Sequence, residues 1–397
     1  MNGEHFKYTI IGNGPAGIYA AEILRKVSKD SILVVSSEPC ESYSRCILPE
    51  ILVEEDINIK LRDDSWCEEY GINQYLGTTV KSIDTENKIV FGGNHEIEYD
   101  KLLIATGADP IMIPIKGVKS KGVYGIRQLS DVVGIKKDLN SVSRAVIVGG
   151  GFIGIKVAES LSQLGKQVVI VEKLPQILGK VLDSSAAGIL TRLLEQHNIS
   201  VATNKGVTEI LEQDGRAKGV VLDDGSTLDA ELVILSVGVR PSIGFLKDTP
   251  VDTMQGRGIV VDDYMRTNVA DIYAAGDVTI AKSHSTGALV NLPIWPVATH
   301  QGRIAALNMA GYEMKYEGGF GRNSVRVFGL PFLTAGVTVK EENDIEFIER
   351  CDIDNNIYVK NILSQEGILK GYVSIGSLDN VGQKLSLIRK GQSLSTH

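Results

Sequence analysis

Several kinds of segment are missing from this sequence of 397 residues. No run approaches the roughly 18 consecutive apolar residues of a membrane-spanning helix, so no membrane association is expected. The net charge of −8 leaves no positive surface for nucleic acid, which excludes a nucleic-acid partner. The first ten residues, MNGEHFKYTI, have neither a basic segment nor an apolar core, so we expect no signal peptide and a cytoplasmic protein.

Cysteine is scarce as well, with only Cys40, Cys46, Cys67 and Cys351 in the whole chain. Four cysteines in a chain of this length do not predict a disulfide framework. No cluster of His, Cys and Asp has the spacing of metal ligands, so no metal site is predicted. Glycine, by contrast, is abundant, with 42 residues that fall mostly at turns between apolar runs and helical patterns. This distribution indicates an α/β nucleotide-binding architecture.

The first glycine-rich turn follows the apolar run Tyr8–Ile11, which predicts a buried strand. The turn is Gly12-Asn13-Gly14-Pro15-Ala16-Gly17, and a helical pattern continues to about Lys26. In a dinucleotide fingerprint the first glycine makes the turn, the second admits a pyrophosphate, and the third lets the helix pack on the strand. A second strand at Ser31–Val35 leads to Glu38, whose carboxylate can bind both hydroxyls of an adenosine ribose.

The same pattern occurs a second time from Arg144 onward. A strand leads into Gly149-Gly150-Gly151-Phe152-Ile153-Gly154, and a helix is predicted to about Leu164 with Gly165 as its cap. The next strand, Val168–Val171, ends at Glu172. Two fingerprints, each with its acid, form an internal repeat and predict two dinucleotide sites. Glu172 favours a ribose 2′-hydroxyl over a 2′-phosphate, which predicts NADH rather than NADPH.

The remaining segments predict further elements. We expect a charged helix over Asp56–Gly71, a strand in Val233–Pro241 that ends in a turn of small residues, and a helix from about Val297. A short strand within Asp271–Val278 ends at Gly276 and Asp277, and Asp277 either binds a polyhydroxyl chain or caps a following helix. The last section predicts antiparallel strands and a closing helix, as follows: a strand pair turning at Gly329–Pro331, strands Phe347–Cys351, Ile357–Ile362 and Gly371–Ile375, and a helix Val381–Arg389.

The motifs GNGPAG, ATGADP, GGGFIG, SVGVRP and AAGDV, in this order, resemble the pyridine nucleotide–disulfide oxidoreductase family over nearly the whole chain. The resemblance implies an α/β fold with two Rossmann-like dinucleotide-binding domains, one for FAD and one for NAD, plus a small C-terminal α+β domain. It places the FAD domain at residues 1–115 and 249–319, the NAD domain at 116–248 and the C-terminal cap or interface domain at 320–397.

The resemblance also implies cofactor contacts. Asp277 would hold the ribitol of FAD and Glu38 its adenosine ribose, while hydride passes from the nicotinamide to the flavin. The full set of residues expected at the two cofactors is Gly12, Gly14, Pro15, Ala16, Gly17, Glu38, Arg45, Val80, Ala105, Thr106, Gly107, Gly149, Gly151, Phe152, Ile153, Gly154, Glu172, Gly238, Gly276, Asp277 and Val297.

Members of the family differ in the residues that pass electrons from the flavin to the acceptor. Cys40 and Cys46 have the spacing Cys-x5-Cys, unlike the Cys-x4-Cys of the dithiol enzymes, so a dithiol mechanism is rejected. Cys46-Ile47-Leu48-Pro49 resembles the single-cysteine branch, which includes coenzyme A-disulfide and persulfide reductases and NADH oxidases. Tyr43-Ser44-Arg45 and the stretches WPVATHQGRIAALNMAG and GILKGYVSIGSLDNVGQKLSLIRKGQ resemble rubredoxin reductases and the flavin part of nitrite reductases.

Cys46 is therefore either a redox-active thiol or a small packing residue. Pro49 is best tolerated in the first turn of a helix, so we expect Cys46 at a helix N-terminus, which together with Arg45 would lower its thiol pKa. Lys156 departs from the family, in which many members have Glu at this position near the nicotinamide. Glu159, one turn later on a similar face, is a candidate to replace that Glu. Lys156 is either a lysine at the flavin edge, where its charge would stabilise reduced anionic flavin, or a solvated surface lysine.

The expected function is an FAD-dependent NADH oxidoreductase that passes electrons to a small redox protein such as rubredoxin. One alternative is a disulfide or persulfide reductase, or an NADH oxidase, that uses Cys46 as its catalytic residue. A third possibility is a non-catalytic electron-transfer component of a larger reductase, and a fourth is a redox-sensing binding protein. The chain alone should not reduce nitrite, because its cysteines do not form the set of four ligands that an iron–sulfur cluster or sirohaem centre requires. Either a monomer or a homodimer is expected.

Overall fold

The computed structural model describes residues 4–54, 56–341 and 343–394. Its α-helices are α1 (Pro15–Val27), α2 (Trp66–Glu69), α3 (Leu129–Asp138), α4 (Phe152–Gln163), α5 (Ser184–Gln196), α6 (Trp295–Met309) and α7 (Val381–Lys390). Short 3₁₀ turns lie at Arg45–Ile47, Glu50–Leu52, Leu139–Ser141 and Gly244–Leu246.

The strands follow one another in chain order. They are β1 (Glu4–Ile11), β2 (Ile32–Val35), β3 (Asn73–Tyr75), β4 (Val80–Asp84), β5 (Ile89–Gly92), β6 (His95–Ile104), β7 (Ala108–Pro110), β8 (Val123–Gly125), β9 (Arg144–Val148), β10 (Gln167–Glu172), β11 (Ile199–Thr203), β12 (Val207–Gln213), β13 (Arg216–Leu222), β14 (Thr227–Asp229), β15 (Leu232–Leu235), β16 (Val239–Pro241), β17 (Ile259–Val260), β18 (Ile272–Ala274), β19 (Thr279–Lys282), β20 (Leu289–Val290), β21 (Arg322–Val327), β22 (Leu330–Gly336), β23 (Ile345–Asp352), β24 (Ile357–Leu363) and β25 (Leu369–Ile375).

The chain folds as two compact units. The first comprises the described residues up to Ser44 together with Ile59–Asp109 and Arg240–Phe320. Its main sheet has the order β3-β2-β1-β6-β5-β4, with β18 also paired to β6. Strand β1 pairs in parallel with both β2 and β6, and all four residues of β2 are buried. Such continuous apolar runs are typical of parallel strands covered on both faces.

The second unit comprises Arg45–Asn58, Pro110–Val239 and the described residues from Gly321 onward. Its parallel sheet has the order β11-β10-β9-β15-β8, and a three-stranded antiparallel sheet is formed by β12, β13 and β14. An antiparallel sheet with the order β21-β22-β25-β24-β23 contains the C-terminal strands, and helix α7 packs against β25. The predicted α/β fold class is confirmed, whereas the predicted four-segment domain division stays a prediction.

Most predicted elements are confirmed, including both strand–turn–helix repeats and the C-terminal strands and helix. The charged helix expected over Asp56–Gly71 is wrong for most of its length, because only Trp66–Glu69 is α-helical. The backbone of the preceding residues pairs instead with the loop before it: Ser44 N–H donates to Ile59 O and Leu61 N–H donates to Ser42 O. These long-range hydrogen bonds hold residues 59–61 extended, whatever their helix propensity.

Three boundaries also differ from the predictions. In Val233–Pro241 the expected strand is β15, the residues Ser236–Gly238 follow it, and the segment then continues into a second short strand, β16, that was not expected. Helix α6 begins at Trp295, two residues before Val297, because Pro296 is accommodated in its first turn. The hairpin turn is at Phe328-Gly329, and Pro331 lies within β22.

No helix among the described residues is long and apolar enough to span a membrane.

Candidate dinucleotide-binding sites

The first fingerprint forms a tight turn between β1 and α1. Gly12 has a φ of +111°, and a Cβ atom built on it would lie 2.2 Å from Ala105 O at the end of β6. A Cβ on Gly17 would lie 1.9 Å from Gly12 O. Both positions therefore need glycine, the first for its conformation and both for the close approach of neighbouring backbone.

Gly14 is different, because a Cβ built on it would have no described protein atom within 4 Å. It is the N-cap of α1 in an extended conformation, with Pro15 following in the first turn. Within the described part of the chain, no side chain caps this helix start. The open space and the uncapped amides of the first turn fit a phosphate group.

The second fingerprint repeats this geometry in the second unit. Gly149 has a φ of +109° and a Cβ on it would lie 2.6 Å from Ser236 O, while a Cβ on Gly154 would lie 2.2 Å from Gly149 O. Gly151 is the N-cap of α4, and here too the space around a built Cβ contains no described atom within 4 Å. Gly149, Gly151 and Gly154 therefore have the same kind of surroundings as their counterparts in the first turn, since two lie against backbone atoms and one is open.

The first turn of α4 supplies two further predicted residues. Phe152 packs edge-to-face on Phe332, with ring centroids 6.0 Å apart. Ile153 is exposed at the start of the helix. Gly238, which follows β15, has a φ of +115° and its carbonyl accepts a hydrogen bond from Ile111 N–H at 3.0 Å.

The acid that follows the first fingerprint is buried. Glu38 is 8% exposed, and its Oε2 accepts a hydrogen bond from the Tyr43 hydroxyl at 2.5 Å. Asn13, inside the glycine turn, donates from Nδ2 to Cys40 O at 3.0 Å and accepts from Ser36 Oγ at 3.0 Å. These bonds connect the glycine turn to the loop that carries Glu38.

The acid that follows the second fingerprint is held by main-chain amides. Glu172 Oε2 accepts from Gly150 N–H at 2.7 Å, and Oε1 accepts from Leu174 N–H at 2.8 Å. The carboxylate therefore lies directly beside the glycine turn, at the carboxyl end of β10. This is the place at which an acid meets a ribose in dinucleotide folds.

The other residues predicted for FAD lie in the first unit. Ala105, Thr106 and Gly107 follow β6; Thr106 Oγ1 donates to Ser242 O at 2.9 Å, and Gly107 O accepts from Ser242 N–H at 3.0 Å. Val80 begins β4 and is partly buried. These bonds fasten the chain just beyond β6, at the same sheet edge as Gly12.

Gly276, Ala16 and α6 form a close contact in the first unit. A Cβ on Gly276 would lie 3.1 Å from Ala16 Cβ, and a Cβ on Gly302 of α6 would lie 2.2 Å from Ala16 O. Val297 is buried in the first turns of α6. Asp277 is partly exposed and is followed by strand β19 rather than a helix, so the alternative role as a helix cap is wrong.

The segment that carries Arg45 and Cys46 belongs to the second unit. Cys46 is exposed in the middle of a single 3₁₀ turn, and Pro49 is the N-cap of the next one. The prediction of an α-helix N-terminus at Cys46 is therefore wrong, because the chain forms two short turns instead of one helix. Arg45 donates from Nη1 to Arg127 O at 2.9 Å.

Lys156 is not a solvated surface lysine, since its side chain is only 14% exposed. Its Nζ lies 2.7 Å from Glu159 Oε2, 3.4 Å from Glu50 Oε1 and 3.1 Å from Arg326 O. Glu159 in turn accepts a hydrogen bond from Phe328 N–H at 2.7 Å. These two side chains of α4 therefore bind both the Cys46 segment and the turn between β21 and β22.

Two cysteines lie outside the Cys40–Cys46 segment. Cys67 is buried in α2, and burial raises the pKa of its thiol to about 12. Cys351 is exposed on β23. Within the described ranges, no group of His, Cys, Asp and Glu is arranged to hold a metal ion.

Sequence reasoning missed several polar residues that support the first glycine turn. Gln301, which is 2% exposed, accepts from Gly276 N–H at 2.8 Å. Tyr43, Asn13 and Ser36 act on the loop of Glu38 through the hydrogen bonds given for that loop. Asn13 carried a signal as a polar residue within a glycine-rich turn, and Tyr43 belonged to the Tyr43-Ser44-Arg45 resemblance, although its contact with Glu38 was not predicted. Gln301 and Ser36 depend on contacts that are distant in sequence.

Comparison with known proteins places this geometry in a family. The model of the pyridine nucleotide-disulphide oxidoreductase family matches residues 6–302. The chain is 32% identical over 395 residues to the nitrite reductase [NAD(P)H] of Bacillus subtilis. The matched region covers 97% of this chain and 47% of that protein. It thus spans about half the length of this relative. It is 30% identical to the rubredoxin-NAD(+) reductase of Pseudomonas putida, over 76% of this chain and 79% of that protein.

Two solved structures are similar over nearly the whole chain. The NAD-dependent persulfide reductase of A. fulgidus is 26% identical with a TM-score of 0.89, covering 98% of this chain and 77% of that one. The NADH:rubredoxin oxidoreductase of Clostridium acetobutylicum is 27% identical with a TM-score of 0.79, covering 99% and 97%. Both fingerprints are formed, and the family model matches residues 6–302, which are most of this chain. The chain therefore belongs to the pyridine nucleotide-disulphide oxidoreductase family.

Proposed function

We propose that this chain is an FAD-dependent oxidoreductase that oxidises NADH and passes the electrons to a small redox protein such as rubredoxin. The observation that carries the proposal is the repeated glycine turn, with Gly14 and Gly151 both open at a helix start. Two dinucleotide sites in one chain make chemical sense when one nucleotide reduces the other. The similarity to rubredoxin reductases supports the choice of acceptor.

In this proposal the first unit holds FAD. The amides at the start of α1 bind its pyrophosphate, Glu38 binds the adenosine ribose, and Asp277 binds the ribitol. When bound, FAD supplies the step between two-electron oxidation of NADH and one-electron transfer to a protein acceptor. The chain's own part is to bind and orient both nucleotides and to limit the access of water.

The proposal includes a preference for NADH over NADPH. Glu172 is held beside the second glycine turn by Gly150 N–H and Leu174 N–H. A carboxylate fixed at this position accepts hydrogen bonds from the ribose hydroxyls and repels a 2′-phosphate. Lys173, which is exposed, offsets this repulsion only in part.

A second candidate function uses Cys46 for reduction of a low-molecular-weight disulfide or persulfide. The observation that favours it is that Cys46 is exposed and forms no disulfide, so a small substrate can reach it. The similarity to a persulfide reductase points the same way. This reaction depends on the thiol, whereas transfer to a redox protein does not.

The test is an anaerobic acceptor screen with the flavin absorbance as readout. The purified protein is reconstituted with FAD, reduced with NADH or NADPH, and mixed with rubredoxin, coenzyme A disulfide or a persulfide. We expect reduction at lower concentrations of NADH than of NADPH, and fastest reoxidation by rubredoxin. Cys46→Ser should leave that rate unchanged, as should the control Cys351→Ser at the other exposed cysteine.

The outcomes separate the candidates. If small disulfides or persulfides reoxidise the flavin fastest and Cys46→Ser alone abolishes this, the second candidate replaces the first. A protein that binds no flavin on reconstitution, or whose flavin NADH does not reduce, contradicts both.

A further inference from the structure

The carboxylate of Glu38 is oriented by a tyrosine that no fingerprint includes. Tyr43 is 6% exposed and donates its hydroxyl hydrogen to Glu38 Oε2 at 2.5 Å, and Glu38 is 8% exposed. A hydrogen bond to an ionised, buried carboxylate is among the stronger kinds in proteins. The bond therefore restricts the side-chain rotation of Glu38.

Tyr43 is itself held in place by main-chain pairing. It forms an antiparallel bridge with Lys60, flanked by the bonds from Ser44 N–H to Ile59 O at 2.7 Å and from Leu61 N–H to Ser42 O at 2.9 Å. The tyrosine ring thus projects from a backbone that is paired on both sides of its own residue. Because the position of Tyr43 is fixed by its own backbone, its hydroxyl can determine the orientation of the Glu38 carboxylate.

The start of the same loop is anchored to the glycine turn. Ser36 Oγ donates to Asn13 Oδ1, Asn13 Nδ2 donates to Cys40 O, and Glu38 N–H donates to Ser36 Oγ at 3.2 Å. The main chain of Glu38 is therefore fixed relative to Gly12 and Gly14. The Tyr43 hydroxyl acts on the carboxylate of the same residue, to which it donates a hydrogen bond.

The second fingerprint uses a different device for the same purpose. There the acid, Glu172, accepts from two main-chain amides, those of Gly150 and Leu174. The position of Gly150 in the first turn is occupied by Asn13, whose side chain is used to hold the loop. The two repeats thus orient their acids differently, one through main-chain amides and one with the hydroxyl of Tyr43.

We propose that Tyr43 is a positioning residue for FAD binding, acting through the carboxylate of Glu38; this rests on the proposed function of the first site. A carboxylate accepts about four hydrogen bonds, so the Tyr43 hydroxyl orients Glu38 without using up its capacity for the ribose hydroxyls. A fixed carboxylate also loses less rotational freedom when the ribose binds.

The test is titration of the flavin-free full chain with FAD, followed by flavin fluorescence. Tyr43→Phe keeps the ring and removes the donor, and we expect the FAD dissociation constant to rise about 5- to 10-fold, because the released carboxylate must then be ordered when the ribose binds. The matched control is Tyr70→Phe, since Tyr70 is 45% exposed and in the same unit. NAD⁺ affinity, measured on the same samples, should stay constant in both variants.

A double-mutant cycle with Glu38→Gln separates positioning from a general loss of structure. If Tyr43 acts through Glu38, Tyr43→Phe should change FAD affinity by less than about 2-fold in the Glu38→Gln background. This background also lacks the buried charge, so it stays folded more readily if the single variant is unstable. Equal effects in both backgrounds overturn the inference.

The remaining outcomes are also decisive. An unchanged or lower dissociation constant in Tyr43→Phe means that the tyrosine is irrelevant or competes with the ribose, and either result overturns the inference while leaving the proposed function intact. Failure of the unmodified chain to bind FAD instead overturns the proposed function.

Discussion

At the scale of single residues, the fingerprints separate glycines that the fold needs from glycines that a ligand needs. Gly12 and Gly17 lie against backbone atoms, so added side chains would displace the chain. Gly14 and Gly151 have ordinary φ values of −71° and −81° and open surroundings. An alanine should therefore be tolerated by the protein at these two positions, but not by a pyrophosphate bound there.

The first prediction follows from this difference. Gly14→Ala should weaken FAD binding about tenfold or more with little change in melting temperature, because its methyl group occupies the space meant for phosphate. Gly151→Ala should raise the KM for NADH by a similar factor and leave FAD affinity unchanged. Flavin fluorescence titration and steady-state kinetics measure the two effects.

Each of these variants is the control for the other. Gly12→Ala, which places a methyl group against Ala105 O, should by contrast lower the melting temperature clearly. If Gly14→Ala is as unstable as Gly12→Ala, or if either open-site variant affects both nucleotides equally, the assignment of the two sites is contradicted.

At the scale of elements, α4 holds a strained turn in place. The hairpin between β21 and β22 has a two-residue turn in which Phe328 and Gly329 have φ values of +46° and +80°. A positive φ is unfavourable for phenylalanine, so the turn depends on outside contacts. These are the bond from Phe328 N–H to Glu159 and the stacking of its ring on His197, with centroids 3.7 Å apart.

The second prediction concerns Lys156, which neutralises Glu159 in this contact. Glu159 is only 6% exposed, and its Oε2 lies 2.7 Å from Lys156 Nζ. Lys156→Met removes this cation and should lower the free energy of unfolding by roughly 3 kcal/mol. Lys156→Met combined with Glu159→Gln should recover part of that loss, because glutamine carries no charge and can still accept from Phe328 N–H. Urea unfolding gives the free energies, and hydrogen exchange at the Phe328 amide reports on the turn.

The control is Lys173→Met, an exposed lysine of the same unit, which should change stability by less than about 0.5 kcal/mol. A Lys156→Met protein as stable as this control would show that the Glu159 cluster does not depend on the lysine.

At the scale of the whole molecule, an ion pair between the partly buried Asp183 and the buried Lys360 connects α5 to the C-terminal sheet within the second unit. Asp183 is the N-cap of α5 and accepts from Ala186 N–H at 3.0 Å. It also binds Lys360 Nζ, whose side chain is 1% exposed, and the Tyr358 hydroxyl at 2.8 Å. Burial by itself raises the pKa of Asp183, but the bonds from Ala186, Lys360 and Tyr358 outweigh it and the pKa is lowered.

The third prediction is the pH dependence of this ion pair. Asp183→Asn keeps a good N-cap but leaves Lys360 without its closest anion, and should cost about 3 kcal/mol at pH 7. Because the pKa of Asp183 is lower in the folded state than its unfolded value of about 3.9, the stabilisation is complete above that value and is lost as the pH falls through the folded-state pKa. Urea unfolding should show a constant difference between the two proteins from pH 7 down to about pH 4, and convergence only as the pH falls further.

An exposed pair provides the comparison. Asp224→Asn removes the surface partner of Lys205 and should leave stability at pH 7 nearly unchanged. If Asp183→Asn is equally mild, the pair of Asp183 and Lys360 is not a source of stability in this fold.

Much of the fold could be predicted because its signals are local. A glycine turn between a buried strand and a helix restricts φ and close contacts within about ten residues, and both repeats were identified for that reason. The charged stretch before Trp66 was misassigned because its backbone pairs with Ser42–Ser44, a contact that no local pattern encodes. The prediction of a helix at Cys46 was wrong for another reason. Composition alone does not distinguish two 3₁₀ turns from one helical turn.

The amino-acid sequence alone determined that this protein has two nucleotide turns, each with its acid, because turn geometry is decided by neighbouring residues. Only the tertiary structure decided how each acid is oriented. It brings the hydroxyl of Tyr43 to Glu38 and the amides of the second turn to Glu172. It also decided the role of Lys156, which binds Glu50 and Glu159. Some of these contacts join distant segments, as from Lys156 to Glu50, and others join near neighbours whose orientation depends on the surrounding packing. Their energies therefore follow from the folded chain and not from its local pattern.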